Sequence, residues 1–218
     1  MNRVSKSIGW CDFTINPIKG LCKENCFYCY ARRIYQRFKL DPTIRLDMSV
    51  FDKLPKKPSR IFVCSTHDIM GDWISEEWIW SIMERTKKTP QHIFLFLTKN
   101  PSRYDYFNIP LNCWLGVTAT FKYGERCDIL LRHLKSSNRR FISFEPLLAE
   151  ISSSYYLDKI DWIIIGAMTG AGGKKHQPKR EWIKDLAGNA SENNIPVFMK
   201  SNLQKIWGEK LIQDFPDF

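Results

Sequence analysis

Residues 60–98, RIFVCSTHDIMGDWISEEWIWSIMERTKKTPQHIFLFLT, hold one complete strand–helix–strand unit. Arg60–Ser65 is an unbroken apolar run of strand length, the pattern of a sheet covered on both faces. Ser75 then stands as an N-cap before Glu76 and Glu77, an acidic first turn that opens a helix to about Lys88. His92–Thr98 is a second buried strand. A strand, a helix and a strand within forty residues predict a βαβ crossover joining two parallel strands.

The same rhythm extends both ways. Upstream, Ile8–Ile15 reads as a first strand, Ala31–Lys39 as a helix and Met48–Lys53 as a short turn. Downstream come a short helix at Pro101–Phe107, a strand at Trp114–Thr120, a helix at Tyr123–Lys135 and a strand at Arg140–Glu145. Trp162–Gly166 is a further strand, followed by a loop with Gly170, Gly172 and Gly173. A helix from Arg180 to Asn193 leads to the last strand, Val197–Lys200. The expected fold is therefore α/β: an open, partial (β/α) barrel of about six parallel strands, with a doubly wound parallel sheet as the alternative. Both place an active site at the C-terminal ends of the strands.

At 218 residues, with 44% hydrophobic side chains, the chain reads as one globular domain spanning 1–218. Seven cysteines, an odd number with three clustered, argue against a disulfide framework and for a reducing cytoplasm. The first residues lack a signal-peptide core, and no apolar run approaches the roughly 18 residues of a membrane span. Net charge is +10 and the isoelectric point about 9.3, a balance that favours nucleic acid or another anionic partner over ordinary surface charge only evenly.

Between the first strand and the first helix lies Gly20–Arg33, GLCKENCFYCYARR, with Cys22, Cys26 and Cys29 at C-x3-C-x2-C spacing in a loop at 20–30. A loop lets three thiolates converge, and soft ligands suit zinc, copper(I) or an iron–sulfur cluster. A closed zinc site would need a second ligand pair, and clusters that only carry electrons usually take four cysteines. Cys11, Cys64, Cys113 and Cys127 are scattered singly, so the spacing suggests a metal centre with one open position. Cys11, on the preceding strand, is the substitute ligand to suspect.

Cys22-x3-Cys26-x2-Cys29, with Tyr28 before the last cysteine, resembles the signature of radical S-adenosylmethionine enzymes. Gly9-Trp10-Cys11-Asp12-Phe13-Thr14-Ile15-Asn16-Pro17 resembles the opening of a phage-associated branch. The Cys29-Tyr30 pair is similar to the spore photoproduct lyase branch, which repairs DNA. The resemblance implies that the three cysteines hold a [4Fe–4S] cluster whose fourth iron is chelated by S-adenosylmethionine, with Tyr28 near the adenine. It also implies an external reductant such as a flavodoxin or ferredoxin. The chain departs from the family at two places. Cys64-Ser65-Thr66-His67-Asp68 replaces the usual Gly-Gly-Glu, leaving Ser65, Thr66 and Asp68 as candidates for the amino contact. Gly166-Ala167-Met168-Thr169-Gly170 replaces an expected Gly-Gly-Glu-Ser-Gly.

Polar residues end the predicted strands: Ser65, Thr66, His67 and Asp68; Thr98 and Lys99; Thr118 and Thr120; Ser143 and Glu145; Lys200 and Ser201. Of these, Thr118, Ser143 and Glu145 join Ser65, Thr66 and Asp68 as cofactor-binding candidates, and Glu145 and Lys200 are the catalytic candidates. Lys174, Lys175, Lys179 and Arg180, beside Trp182, are candidate phosphate contacts for a DNA or RNA substrate. A peptide or metabolite substrate, or a non-enzymatic zinc-binding nucleic-acid module, are the alternatives.

Overall fold

The structure is a computed structural model that describes residues 1–3, 8–120, 126–127, 129–130, 137–151, 159–170 and 172–217. Its strands are β1 (Asn2–Arg3), β2 (Phe13–Ile15), β3 (Ile18–Lys19), β4 (Arg45–Leu46), β5 (Arg60–Val63), β6 (Ile93–Thr98), β7 (Cys113–Thr118), β8 (Arg140–Phe144), β9 (Trp162–Ile165) and β10 (Val197–Met199). The helices are α1 (Tyr30–Phe38), α2 (Glu76–Lys87), α3 (Arg180–Glu192) and α4 (Gln204–Trp207). The helix expected at Tyr123–Lys135 lies largely outside the described residues, of which Arg126, Cys127, Ile129 and Leu130 are helical.

Among the described residues the main sheet has eight strands in the order β1-β2-β5-β6-β7-β8-β9-β10. Seven run parallel, and β1 joins antiparallel at the edge of β2. The expectation of about six parallel strands is thus too low. Phe13–Ile15 enters the sheet as a full parallel partner of β5, and two polar residues, Asn2 and Arg3, add an edge that no hydrophobic pattern marks.

The sheet is an open, curled half-barrel. Five strand spacings separate β2 from β9, about 24 Å across a flat sheet at ~4.8 Å each. Yet Trp10, just ahead of β2, has its ring centroid 6.2 Å from that of Trp162 on β9. Only a curled sheet brings them together. Its concave face is filled by the strands' own large side chains: Trp10, Phe62, Leu95, Trp114, Phe141, Trp162, Ile164 and Phe198. The alternate residues of the same strands face outward and pack with α2 and α3 in a larger cluster that includes Ile79, Ile82, Ile183 and Leu186. Gly116 sits on the concave face because a Cβ there would collide with the Phe141 ring. A doubly wound sheet would have helices on both faces; here rings occupy one of them.

The open side is bridged by the C-terminal segment. Met199 N–H donates to Ile212 O (2.7 Å) and Asp214 N–H to Val197 O (2.8 Å), so the outer edge of β10 is paired. Phe215 then packs on Trp162 and Phe198, and the Arg60 guanidinium lies 3.8 Å from its ring centroid.

At the opposite edge, Arg60 forks onto Asp12 through Nε (3.2 Å) and Nη2 (2.9 Å), while its backbone N–H donates to the same carboxylate (2.8 Å). Burial would raise the Asp12 carboxyl, but the Arg60 contacts outweigh it and hold the carboxyl below its usual value. A lowered folded-state pKa contributes stability above the unfolded value of about 4, and loses it as pH falls through the folded one. Asp12→Asn is therefore expected to cost about 1–3 kcal/mol at pH 7. In denaturant melts the gap from wild type should narrow below about pH 4. An unchanged gap at acid pH would exclude the carboxylate as its source. Among the described residues, no helix is long and apolar enough to cross a membrane.

Candidate functional site

The cysteine loop and α1 form one excursion between β2 and β5, clasped at its base. β3 leads into it and β4 leads out, paired antiparallel through Ile18–Leu46 and Lys19–Arg45. Leu21 N–H donates to Pro42 O (2.9 Å) and Asp47 N–H to Pro17 O (2.7 Å). Gly20 begins the loop at φ +95°, where a Cβ would strike the Thr43 carbonyl, and its N–H donates to the Tyr35 hydroxyl (2.9 Å). Neither two-residue strand carries a period that sequence alone could show.

His67 holds the same point from the other side. Trp73 Nε1–H can only donate, so His67 Nε2 accepts it (2.9 Å), which leaves the proton on Nδ1 to face Gly20 O (3.4 Å). Burial pushes its pKa down, in keeping with a neutral ring. Both nitrogens are engaged, so His67 acts as a loop anchor.

No disulfide joins any of the seven cysteines; Cys22, Cys26 and Cys29 are half-buried, and the other four are buried. Cys22 Sγ accepts the Asp68 N–H (3.5 Å) and Cys29 Sγ accepts the Arg32 N–H (3.4 Å). Cys29 is the N-cap of α1, where the helix dipole attracts negative charge. Burial pushes the Cys22 thiol up, and the N–H groups of Asp68 and Glu24 pull it back. Arg32 Nη2 donates to Cys22 O (3.0 Å), tying the start of the loop to α1. Among the described residues, no three His, Cys, Asp or Glu side chains stand as a group that could hold a metal ion. The three thiols share one loop, each with its own hydrogen-bonding neighbour. In kind and number they fit a three-thiolate cluster: soft, free donors with backbone N–H groups aimed at two of the sulfurs. Cys11 is different. Burial among the concave-face rings pushes it up to about 12.

The loop leans over the strand tips. The Tyr28 hydroxyl lies between Thr120, just past β7, and Cys26, with Lys99 close by; burial pushes its pKa up. Burial alone would lower the Lys99 pKa, but the negative groups of Tyr28, Cys26, Asp68 and Glu24 outweigh this and raise it. Tyr30 reaches the β5 tip, donating to Ser65 O at 2.6 Å. The sequence marks Lys99 and Thr120 only as polar strand ends; their link to Tyr28 depends on where the loop folds.

Register decides which tip residues face inward. Thr118 pairs with Ser143, and Ser143 with Ile164, so both polar residues lie on the concave face above the rings. Ser143 is fully buried and its hydroxyl has no partner among the described residues. Glu145, whose peptide to Pro146 is cis, forms an ion pair with Lys200 beyond β10. Gly166 makes room for it: a Cβ there would stand 3.0 Å from Lys200 Cδ and 3.1 Å from Glu145 Cγ. Nothing in the sequence marks Gly166 for this task. Asn202, equally unmarked, clasps Ala167 through its N–H (3.1 Å) and its carbonyl (2.8 Å).

The remaining candidates divide. Asp68 is already engaged: Oδ1 accepts Thr98 Oγ1 (2.6 Å) and Met70 N–H (3.1 Å), and Oδ2 accepts Lys99 N–H (2.8 Å). It ties the β5 tip to the β6 tip. Ser65 Oγ and Thr66 N–H both donate to Asn16 Oδ1 (3.2 Å each). Lys174 and Lys175 are exposed in a 3-10 turn at Gly173–Lys175, and His176 after it stacks edge-on to Phe27 at 5.6 Å. The basic loop therefore stands beside the cysteine loop. Arg180 instead bonds Trp207 O (2.9 Å) and pairs with Glu209, while Lys179 sits 3.8 Å from Glu181 and over the Trp182 ring.

The family described as "Protein of unknown function (DUF5131)" matches residues 5–213. The chain belongs to this family. Searches of curated proteins and of solved structures returned no match. The DUF5131 match takes in the cysteine loop, every polar strand tip and the basic loop, so all the candidate residues lie within the family's span.

Proposed function

We propose that this DUF5131 member is a radical S-adenosylmethionine enzyme acting on nucleic acid or a nucleotide. Cys22, Cys26 and Cys29 would hold a [4Fe–4S] cluster, reduced by a carrier such as a flavodoxin or ferredoxin. When bound, the cluster supplies the electron that cleaves the sulfonium of S-adenosylmethionine to a 5′-deoxyadenosyl radical. The observation that carries the reading is a juxtaposition: three free thiols on a loop that leans over the C-terminal mouth of an open parallel half-barrel. Inside that mouth are a buried, unpartnered Ser143 hydroxyl and the Glu145–Lys200 pair. Ser143 and Thr118 offer hydroxyls to a polar ligand, Glu145 accepts from an ammonium or ribose hydroxyl, and Lys200 holds Glu145 in place. Tyr28 and Tyr30 join the loop to the strand tips through their hydroxyls, Tyr28 toward Thr120 and Tyr30 onto Ser65 O. Asp68 ties the β5 tip to the β6 tip through three hydrogen bonds, which leaves Oδ2 with room for one further donor.

Calorimetry of S-adenosylmethionine against cluster-loaded protein prepared without oxygen tests this. Wild type should bind saturably. Ser143→Ala should bind about ten-fold more weakly, the loss of one hydrogen bond. It should also melt no lower than wild type, because the deleted hydroxyl has no partner among the described residues. A cluster-loaded wild type that binds no S-adenosylmethionine would sink the reading.

A further inference from the structure

Among the described residues nine large hydrophobic side chains are exposed, and five of them fall between residues 27 and 40: Phe27, Tyr30, Ile34, Phe38 and Leu40. Scattered apolar residues are ordinary on a surface, but a cluster of this density is not. Tyr30, Ile34 and Phe38 are spaced four apart on α1 and so form one ridge along the helix. Phe27 extends that ridge onto the cysteine loop. Phe27 is 58% exposed and Phe38 61%, so much of each ring is accessible to a partner.

Within the stretch that carries the ridge the charge is of one sign, and the acids that flank it, Glu24 and Asp41, pair with Arg126 and Arg45. Residues 25–40, NCFYCYARRIYQRFKL, contain four cationic side chains and no Asp or Glu. Arg37 lies over the Phe38 ring at 5.4 Å and Lys39 follows, both exposed. At the other end, Phe27 touches His176, which carries the ridge to Lys174 and Lys175. Exposed aromatic rings between cations match a chain that alternates flat bases with phosphates. Unpaired bases stack on rings, and phosphates release counterions to Arg and Lys. A duplex hides its base faces and would leave the rings unused.

We propose that α1 and the cysteine loop form a track for single-stranded nucleic acid, running from Phe38 and Arg37 past Phe27 toward the strand-tip mouth. The inference deepens the function proposed above and rests on it for the substrate class.

Fluorescence anisotropy with a labelled single-stranded oligonucleotide and the matching duplex, over a salt series, is the test. Phe38 and Arg37 stand at the far end of α1, outside the cofactor site. Wild type should bind the single strand in preference to the duplex. Phe38→Ala should weaken binding about ten-fold with an unchanged salt slope, the loss of one stacked base. Phe38→Trp should keep binding, whereas Phe38→Leu, apolar without a π face, should not. Arg37→Ala should reduce the salt slope by about 0.7. Equal binding of duplex, full binding by Phe38→Leu, or binding to anionic phospholipid vesicles with none to oligonucleotide would overturn the track. Iron, sulfide and S-adenosylmethionine binding are measured on the same preparations. A protein that takes up both cofactors but binds no oligonucleotide overturns the track alone. One that binds oligonucleotide through Phe38 but takes up no cluster overturns the cofactor reading and supports the track.

Discussion

Alanine in place of any one of Cys22, Cys26 or Cys29 is expected to abolish the iron, the acid-labile sulfide and the broad visible absorption of protein prepared without oxygen. The expectation rests on the burial of the other cysteines. Cys64 and Cys113 are buried and pushed up to about 12, as Cys11 is, and apolar burial makes such thiols inert as ligands. Cys127 is buried as well. His67 has both nitrogens engaged. The fold should survive, because the loop is clasped by β3, β4 and the Gly20 contacts and not by its sulfurs. Far-ultraviolet circular dichroism of each variant should match wild type. A single-cysteine variant that keeps a full cluster would remove that cysteine from the ligand set.

Lys200→Met is expected to have the next largest effect. Lys200 and Glu145 have side chains 13% and 25% exposed, packed against the gap left by Gly166. Removing the ammonium leaves a poorly solvated carboxylate at the β8 tip. Losing a partner from a fully buried pair costs about 3–5 kcal/mol, and residual exposure here should bring that to about 1–3. On the proposed function, Glu145 also loses the group that orients it, so S-adenosylmethionine affinity should fall by about 10–100-fold. Glu145→Gln combined with Lys200→Met separates the two effects. The double variant should regain most of the melting temperature, because no charge is stranded, yet remain deficient in binding. Recovery of both would make the pair a purely structural strut.

The parallel sheet was legible because its central strands are short continuous apolar runs, such as IFLFLT of β6, separated by amphipathic stretches of helical length. Elements set by only two residues were not. Asn2–Arg3 of β1 is polar, and β3 and β4 find each other across an α-helix and a loop. The strand expected from Ile8 shortens to Phe13–Ile15 because Gly9 takes φ +87° and Trp10 turns into the concave face. In the site, cysteine spacing and polar strand tips were visible as patterns. What each tip does was not. Whether Ser143 finds a partner among the described residues, which groups Asp68 ties together, and whether Gly166 opens space for Glu145 depend on register between strands far apart in the chain. The pairing of Arg180 with Glu209 is not legible in the sequence, because the two lie 29 residues apart.

Metal and acid-labile sulfide analysis of wild-type protein purified without oxygen tests the central claim most directly. The proposed cluster predicts iron and sulfide in equal amounts, lost together when Cys22, Cys26 or Cys29 is replaced. Zinc without sulfide, bound through the same three cysteines, would contradict it.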